Sequence, residues 1–203
     1  MEDVAVSHES LSRLLSEADE DAALISGGMC VYRVLPVLSW DAPPELYGSL
    51  TEPSEWNPET LPRRLREILE GLRDGIDAER FEEAPEEIAE LYAMASEMVL
   101  RFFGDDGAEI AEWSDWCSSL ALDIHQQLDG FLEDDDASSG PVFITAGTQP
   151  ALTPLEEAEL GDQISTLVRL GSSDHIVRRS VVEIAEQGNA RTRSTLERVA
   201  ASL

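Results

Sequence analysis

The sequence predicts an all-α protein: a bundle of about four main helices with a smaller helical segment at its C-terminal end. Three observations carry that prediction. Apolar residues recur at steps of three and four over most of the 203 residues, the spacing of one helix face. Glycines and prolines punctuate those runs. The composition, 42% hydrophobic and 28% charged, is that of a folded chain, long enough to bury a core without metals or disulfides.

Each element follows from its residues. Ser7 can cap a helix over residues 8–25, with Leu11, Leu14, Leu15, Ala18, Ala22 and Ile25 at helical spacing, and Gly27-Gly28 is read as its end. Residues 29–38, Met-Cys-Val-Tyr-Arg-Val-Leu-Pro-Val-Leu, are rich in types that favour a strand. Pro36 demotes that strand to a short edge strand or an apolar loop laid on the core. A Pro-rich connection covers 41–60. Thr60 then caps a helix with Pro62 in its first turn and Leu61, Leu65, Ile68, Leu69, Leu72 and Ile76 in one stripe. Pro85 opens a second helix, with Ile88, Leu91, Tyr92, Ala95, Met98, Val99 and Phe102 on one face, and Gly104 stops it. A third helix, from about 107 to 132, carries Ile110, Trp113, Cys117, Leu120, Ile124, Leu128 and Phe131. Short connections make these three antiparallel neighbours, with the first helix as the natural fourth member.

Residues 1–136 are therefore expected to form an acidic bundle domain and 137–153 a linker or irregular segment. Residues 154–203 are expected to form a helical segment packed on the bundle. In that segment one helix covers about 154–170, with Leu160, Ile164 and Leu167 inward. A second starts at Ser173 or Asp174 and ends at Gly188, and a last one begins near 190.

Charge sets the function classes. Asp and Glu number 42 against 14 basic residues, all of them Arg, for a formal net charge of -28. A field of that sign repels phosphate backbones and attracts basic partners or divalent cations. Nucleic acid is thus excluded as the expected partner. Two cysteines, Cys30 and Cys117, are too few for a secreted disulfide framework. The acidic start, Met1-Glu2-Asp3, is unlike a signal peptide. No apolar run is expected to approach the length needed to span a bilayer. The expectation is a cytoplasmic protein that engages no membrane.

One stretch carries a motif. Glu86-Glu87-Ile88-Ala89-Glu90 is followed after 21 residues by Glu112-Trp113-Ser114-Asp115. Carboxylates three apart share a helix face, and two such pairs on antiparallel helices can converge on Mg²⁺. This resembles the all-α nucleoside triphosphate pyrophosphatases of the MazG type. The resemblance implies Mg²⁺ as cofactor and Glu87, Glu90, Glu112 and Asp115 as its ligands. It covers residues 86–115 only, and the stretch 116–168 carries no Arg or Lys to hold a triphosphate.

The leading functional expectation is accordingly a non-catalytic module, without a cofactor, that binds a basic protein through an acidic face, as inhibitors of basic nucleases, immunity proteins and nucleic-acid mimics do. The residues expected to form that face are Asp19, Glu20, Asp21, Glu82, Glu83, Glu86, Asp105, Asp106, Glu133, Asp134, Asp135 and Asp136. A structural or oligomeric helical protein is the third alternative, and the sequence leaves the oligomeric state open. Cys117 is expected in the core and His125 at the surface or the core boundary, and Trp113 and Trp116 are expected to be partly buried within the fold.

Overall fold

The computed structural model describes residues 4–38, 61–76, 86–104, 109–133, 151–172 and 175–202; within its helices the side chains of Glu87, Glu133, residues 175–179 and Ser202 lie outside that description. Among the described residues there are seven α-helices and no strand: α1 His8–Glu17, α2 Glu20–Leu38, α3 Leu61–Gly75, α4 Glu86–Leu100, α5 Ile110–Glu133, α6 Pro154–Leu170 and α7 His175–Ser202. A 3-10 turn, Arg101–Phe103, ends α4 before Gly104. The predicted all-α bundle is the fold.

The centre of the bundle differs from the expectation. The helix predicted over 8–25 breaks at Ala18. Asp19 then restarts the chain as α2, its Oδ1 accepting from the Ala22 amide at 2.8 Å. From there α2 runs through Gly27-Gly28 and through the whole stretch predicted as an edge strand. Every residue from Ala23 to Leu38 is buried. A helix covered on all sides is apolar all round and shows no amphipathic period, so its valines read as a strand. Packing overrides that preference.

Two sequence features of α2 have packing reasons. At Gly27 an added Cβ would lie 2.6 Å from the Trp113 ring, and at Gly28 one would lie 2.9 Å from Leu65. The glycines thus let α5 and α3 approach the α2 backbone closely; they do not end the helix. Pro36 lacks the N–H that would bond the Tyr32 carbonyl one turn back. The Asn189 side-chain amide of α7 donates to that carbonyl instead, at 2.8 Å. By length and composition α2 could cross a membrane, contrary to the expectation that no run was long enough. Here the other helices wrap it.

Around α2 pack α3, α4, α5, α6 and α7. The main core joins Leu24, Met29, Val34 and Leu35 of α2 to Leu65 and Leu69 of α3, Leu91 and Met98 of α4, and Trp113, Cys117 and Ile124 of α5. Leu155 and Leu170 of α6 and Val181, Ala185, Leu196 and Val199 of α7 belong to the same cluster. The fourth member of the bundle is therefore α2. The shorter α1 lies outside, with Leu11 packed in a satellite cluster with Leu122, Leu160, Ile164 and Leu167. α7 is one continuous helix, where a break at Gly188 was predicted. A Cβ at Gly188 would collide with the aliphatic stem of Arg33, which crosses α7 at that point.

Trp113 is fully buried, its Nε1 donating to the Met98 carbonyl at 2.8 Å. Trp116 is half-buried, with the Arg101 guanidinium 4.2 Å above its ring.

Candidate functional site

The acidic residues singled out from the sequence fall into two groups. Asp19, Glu20, Asp21 and Glu86 are exposed. Glu133 lies in the last turn of α5, and its side chain is outside the described residues, as are Glu82, Glu83, Asp105, Asp106, Asp134, Asp135 and Asp136. Asp19 and Glu20 border a groove of about 420 Å³, together with Ala18, Ala23, Glu109, Ile110 and Ala111. It opens where α1 gives way to α2, beside the start of α5. Its lining mixes small apolar side chains with the three carboxylates. Such acids are also favoured at helix starts, where they face the positive end of the backbone dipole.

Of the motif carboxylates, Glu90, Glu112 and Asp115 are exposed, and the Glu87 side chain is outside the description. Among the described residues no three His, Cys, Asp or Glu side chains stand together as a metal nest.

The polar centre that sequence reasoning missed lies inside the bundle. Arg33 of α2 is fully buried, as is Glu159 of α6. They form a bidentate pair: Nε to Oε2 at 2.8 Å and Nη2 to Oε1 at 2.7 Å. Burial opposes both charges, but each ion holds the other charged. The Arg33 proton affinity rises and the Glu159 carboxyl falls below its usual range. Arg33 Nη2 also reaches the Cys30 sulfur at 3.3 Å, and burial pushes the Cys30 thiol up to about 12.

Gln163 extends the network. Its Nε2 donates to Glu159 Oε1 at 2.9 Å and to the Ser118 carbonyl at 3.2 Å, while its Oε1 accepts from the Ser118 hydroxyl at 2.6 Å. His125, expected at the surface or the core boundary, is fully buried. Its Nδ1 lies 2.6 Å from the Ala121 carbonyl and 3.9 Å from Glu159 Oε2, and its Nε2 lies 3.1 Å from the Thr192 hydroxyl. Burial pushes the His125 proton affinity down, against the pull of Glu159. At the edge of the cluster, Arg191 of α7 pairs with Asp162 of α6 at 2.6 Å, both partly exposed.

Apart from Arg191–Asp162, which ties α7 to α6, the contacts between helices join α2 and α5 on one side to α6 and α7 on the other. The buried Asp129 of α5 adds another link, its Oδ2 accepting from the Leu155 amide at 2.6 Å in the first turn of α6. That turn is itself closed by a Thr153–Glu156 capping box. The bundle interior proper is apolar; this seam is ionic and hydrogen-bonded.

The chemistry open to the seam is structural. Thr192, His125 and Glu159 stand in the order hydroxyl, imidazole, carboxylate, the order of a nucleophilic triad. Yet Nδ1 bonds the Ala121 carbonyl rather than the carboxylate, both Glu159 oxygens are held by Arg33, and all three residues are sealed from solvent. One signal could have found the seam: Arg33 is the lone charge among sixteen consecutive buried residues of α2, and a buried guanidinium demands an internal carboxylate.

No protein-family model, curated protein or solved structure matches the chain.

Proposed function

We propose that this chain is a non-catalytic binding module that engages a basic protein through its acidic outer surface. The supporting observation is the separation of its charges. The ions placed to organise chemistry, Arg33 and Glu159, are locked together inside the seam, whereas Asp19, Glu20 and Glu109 line a solvent-open groove together with Ala18, Ala23, Ile110 and Ala111. An arginine or lysine of a partner fits such a groove, its methylenes on the apolar side chains and its charge among the carboxylates. The net charge of -28 adds long-range steering of a basic partner towards it.

The test is calorimetric titration with a panel of purified basic proteins, nucleases included, at low and high salt. One panel member should bind far more tightly than the rest. Its affinity should fall with salt and with the combined substitution Asp19→Asn, Glu20→Gln and Glu109→Gln, by about ten-fold or more if the groove charges are desolvated on binding. Equal, weak binding of every basic protein would leave only non-specific attraction and defeat the proposal. Magnesium-dependent release of pyrophosphate from nucleotides would replace it with a hydrolase.

A further inference from the structure

The buried seam also counts protons. The His125 Nδ1 faces a carbonyl at 2.6 Å, and a carbonyl only accepts, so Nδ1 carries hydrogen. Nε2 must then either accept from Thr192 or, in the imidazolium, donate to it. The Thr192 hydroxyl has one hydrogen and two acceptors within reach: His125 Nε2 at 3.1 Å and the Gly188 carbonyl at 3.1 Å. With neutral His125 that hydrogen goes to Nε2; with charged His125 it turns to Gly188. Hydrogen bonding therefore tolerates both protonation states, and charge balance decides between them.

The charges that act on the ring come from α2, α6 and α7. α2 contributes Arg33, α6 contributes Glu159 and Asp162, and α7 contributes Arg191. The Cys30 thiol of α2 stays protonated, and on α5 itself Asp129 is committed to the Leu155 amide. Two cations face two anions, so the cluster is neutral when His125 is neutral. One proton on His125 leaves an excess positive charge at a fully buried ring, where both Glu159 oxygens are already bonded to Arg33 and Asp162 is paired with Arg191. Burying an uncompensated charge is strongly unfavourable. The least disruptive relief is to let water into the seam, which is where α6 and α7 meet α2 and α5.

We propose that His125 is a proton-operated latch: taking up one proton releases α6 and α7 from α2 and α5 while α3 and α4 stay packed on the apolar core. Burial holds the folded imidazole below its ordinary value of about 6.5. The unfolded or opened chain thus takes up this proton at higher pH than the closed one. The latch is fully closed above about 6.5 and loosens as pH falls through the folded value.

Hydrogen–deuterium exchange at pH 7, 6 and 5, corrected for intrinsic rates, tests this on the whole chain. Protection in α6 and α7 relative to α3 and α4 should be lost progressively as pH falls from 7 to 5. In His125→Gln the ratio should stay constant. A constant ratio in the natural chain, or the same loss in the variant, overturns the latch. Should the variant not fold, an NMR titration of the His125 ring decides. Charging of the ring together with loss of α7 amide signals supports the proposal; charging with α7 unchanged refutes it.

Discussion

Glu159 is one side chain on which four others depend. Arg33, Gln163 and, at longer range, His125 all address its carboxylate, and Ser118 is reached through Gln163. Its removal leaves the Arg33 guanidinium buried without a counter-ion, a change worth about 3–5 kcal/mol of destabilisation. Glu159→Gln should therefore lower the denaturant midpoint sharply. The pair Arg33→Met with Glu159→Leu should recover much of that loss, because a buried ion pair replaced by apolar residues is often neutral or stabilising. A double variant as weak as the single one would mean that the network contributes more than charge pairing. The same carboxylate gives an acid limb: its folded value is depressed, so its stabilisation is complete above the ordinary carboxylate value of about 4.5 and is lost as pH falls through the folded one. None of this was legible from periodicity. A carboxylate in a sequence with 42 acids gives no sign that it points inward, and His125, although flanked one turn away by Leu122 and Leu128, is polar and so reads as lying beside the stripe rather than in it.

Among the helices, glycine separates two kinds of position. Gly27, Gly28 and Gly188 sit in helix interiors because neighbouring side chains occupy the space of a Cβ. Gly161, in the middle of α6, has no atom within 4 Å of where a Cβ would go. Gly161→Ala should therefore stabilise the fold by about 0.5–1 kcal/mol, the helix propensity difference alone. Gly27→Ala, pressed against Trp113, should destabilise it by about 1–3 kcal/mol through overpacking. Thermal unfolding of the two variants checks both signs; a stabilising Gly27→Ala would show that the helix contact is loose. The same residues explain what the sequence showed and what it hid. α3, α4, α5 and α6 each bury one face, so their stripes were readable within a few residues of the observed ends. α2 buries its entire circumference and has no stripe. Its glycines, taken for a stop, are contact points, and Gly188 misled in the same way.

On the scale of the whole molecule, charge and core divide the chain differently. By charge, residues 154–203 stand apart from a far more acidic body; by packing, α6 and α7 complete the core of that body. Eight of the twelve side chains of the expected acidic face lie outside the described residues, so only its α1–α2 corner and Glu86 have a described place. The link between the two ends of the chain has a consequence in time. Arg33 is joined to a partner 126 residues later, and the Tyr32 carbonyl to one 157 residues later. During synthesis the helix destined for the centre therefore emerges long before the groups that let it be buried. Until Glu159 emerges Arg33 has no internal counter-ion, so the nascent chain must keep it in water and closure of the interior waits for α6 and α7. A chain stalled before residue 154 should leave Arg33 open to a guanidinium-directed reagent that the finished protein excludes; protection already present in the stalled chain would mean that the interior closes without its final helices.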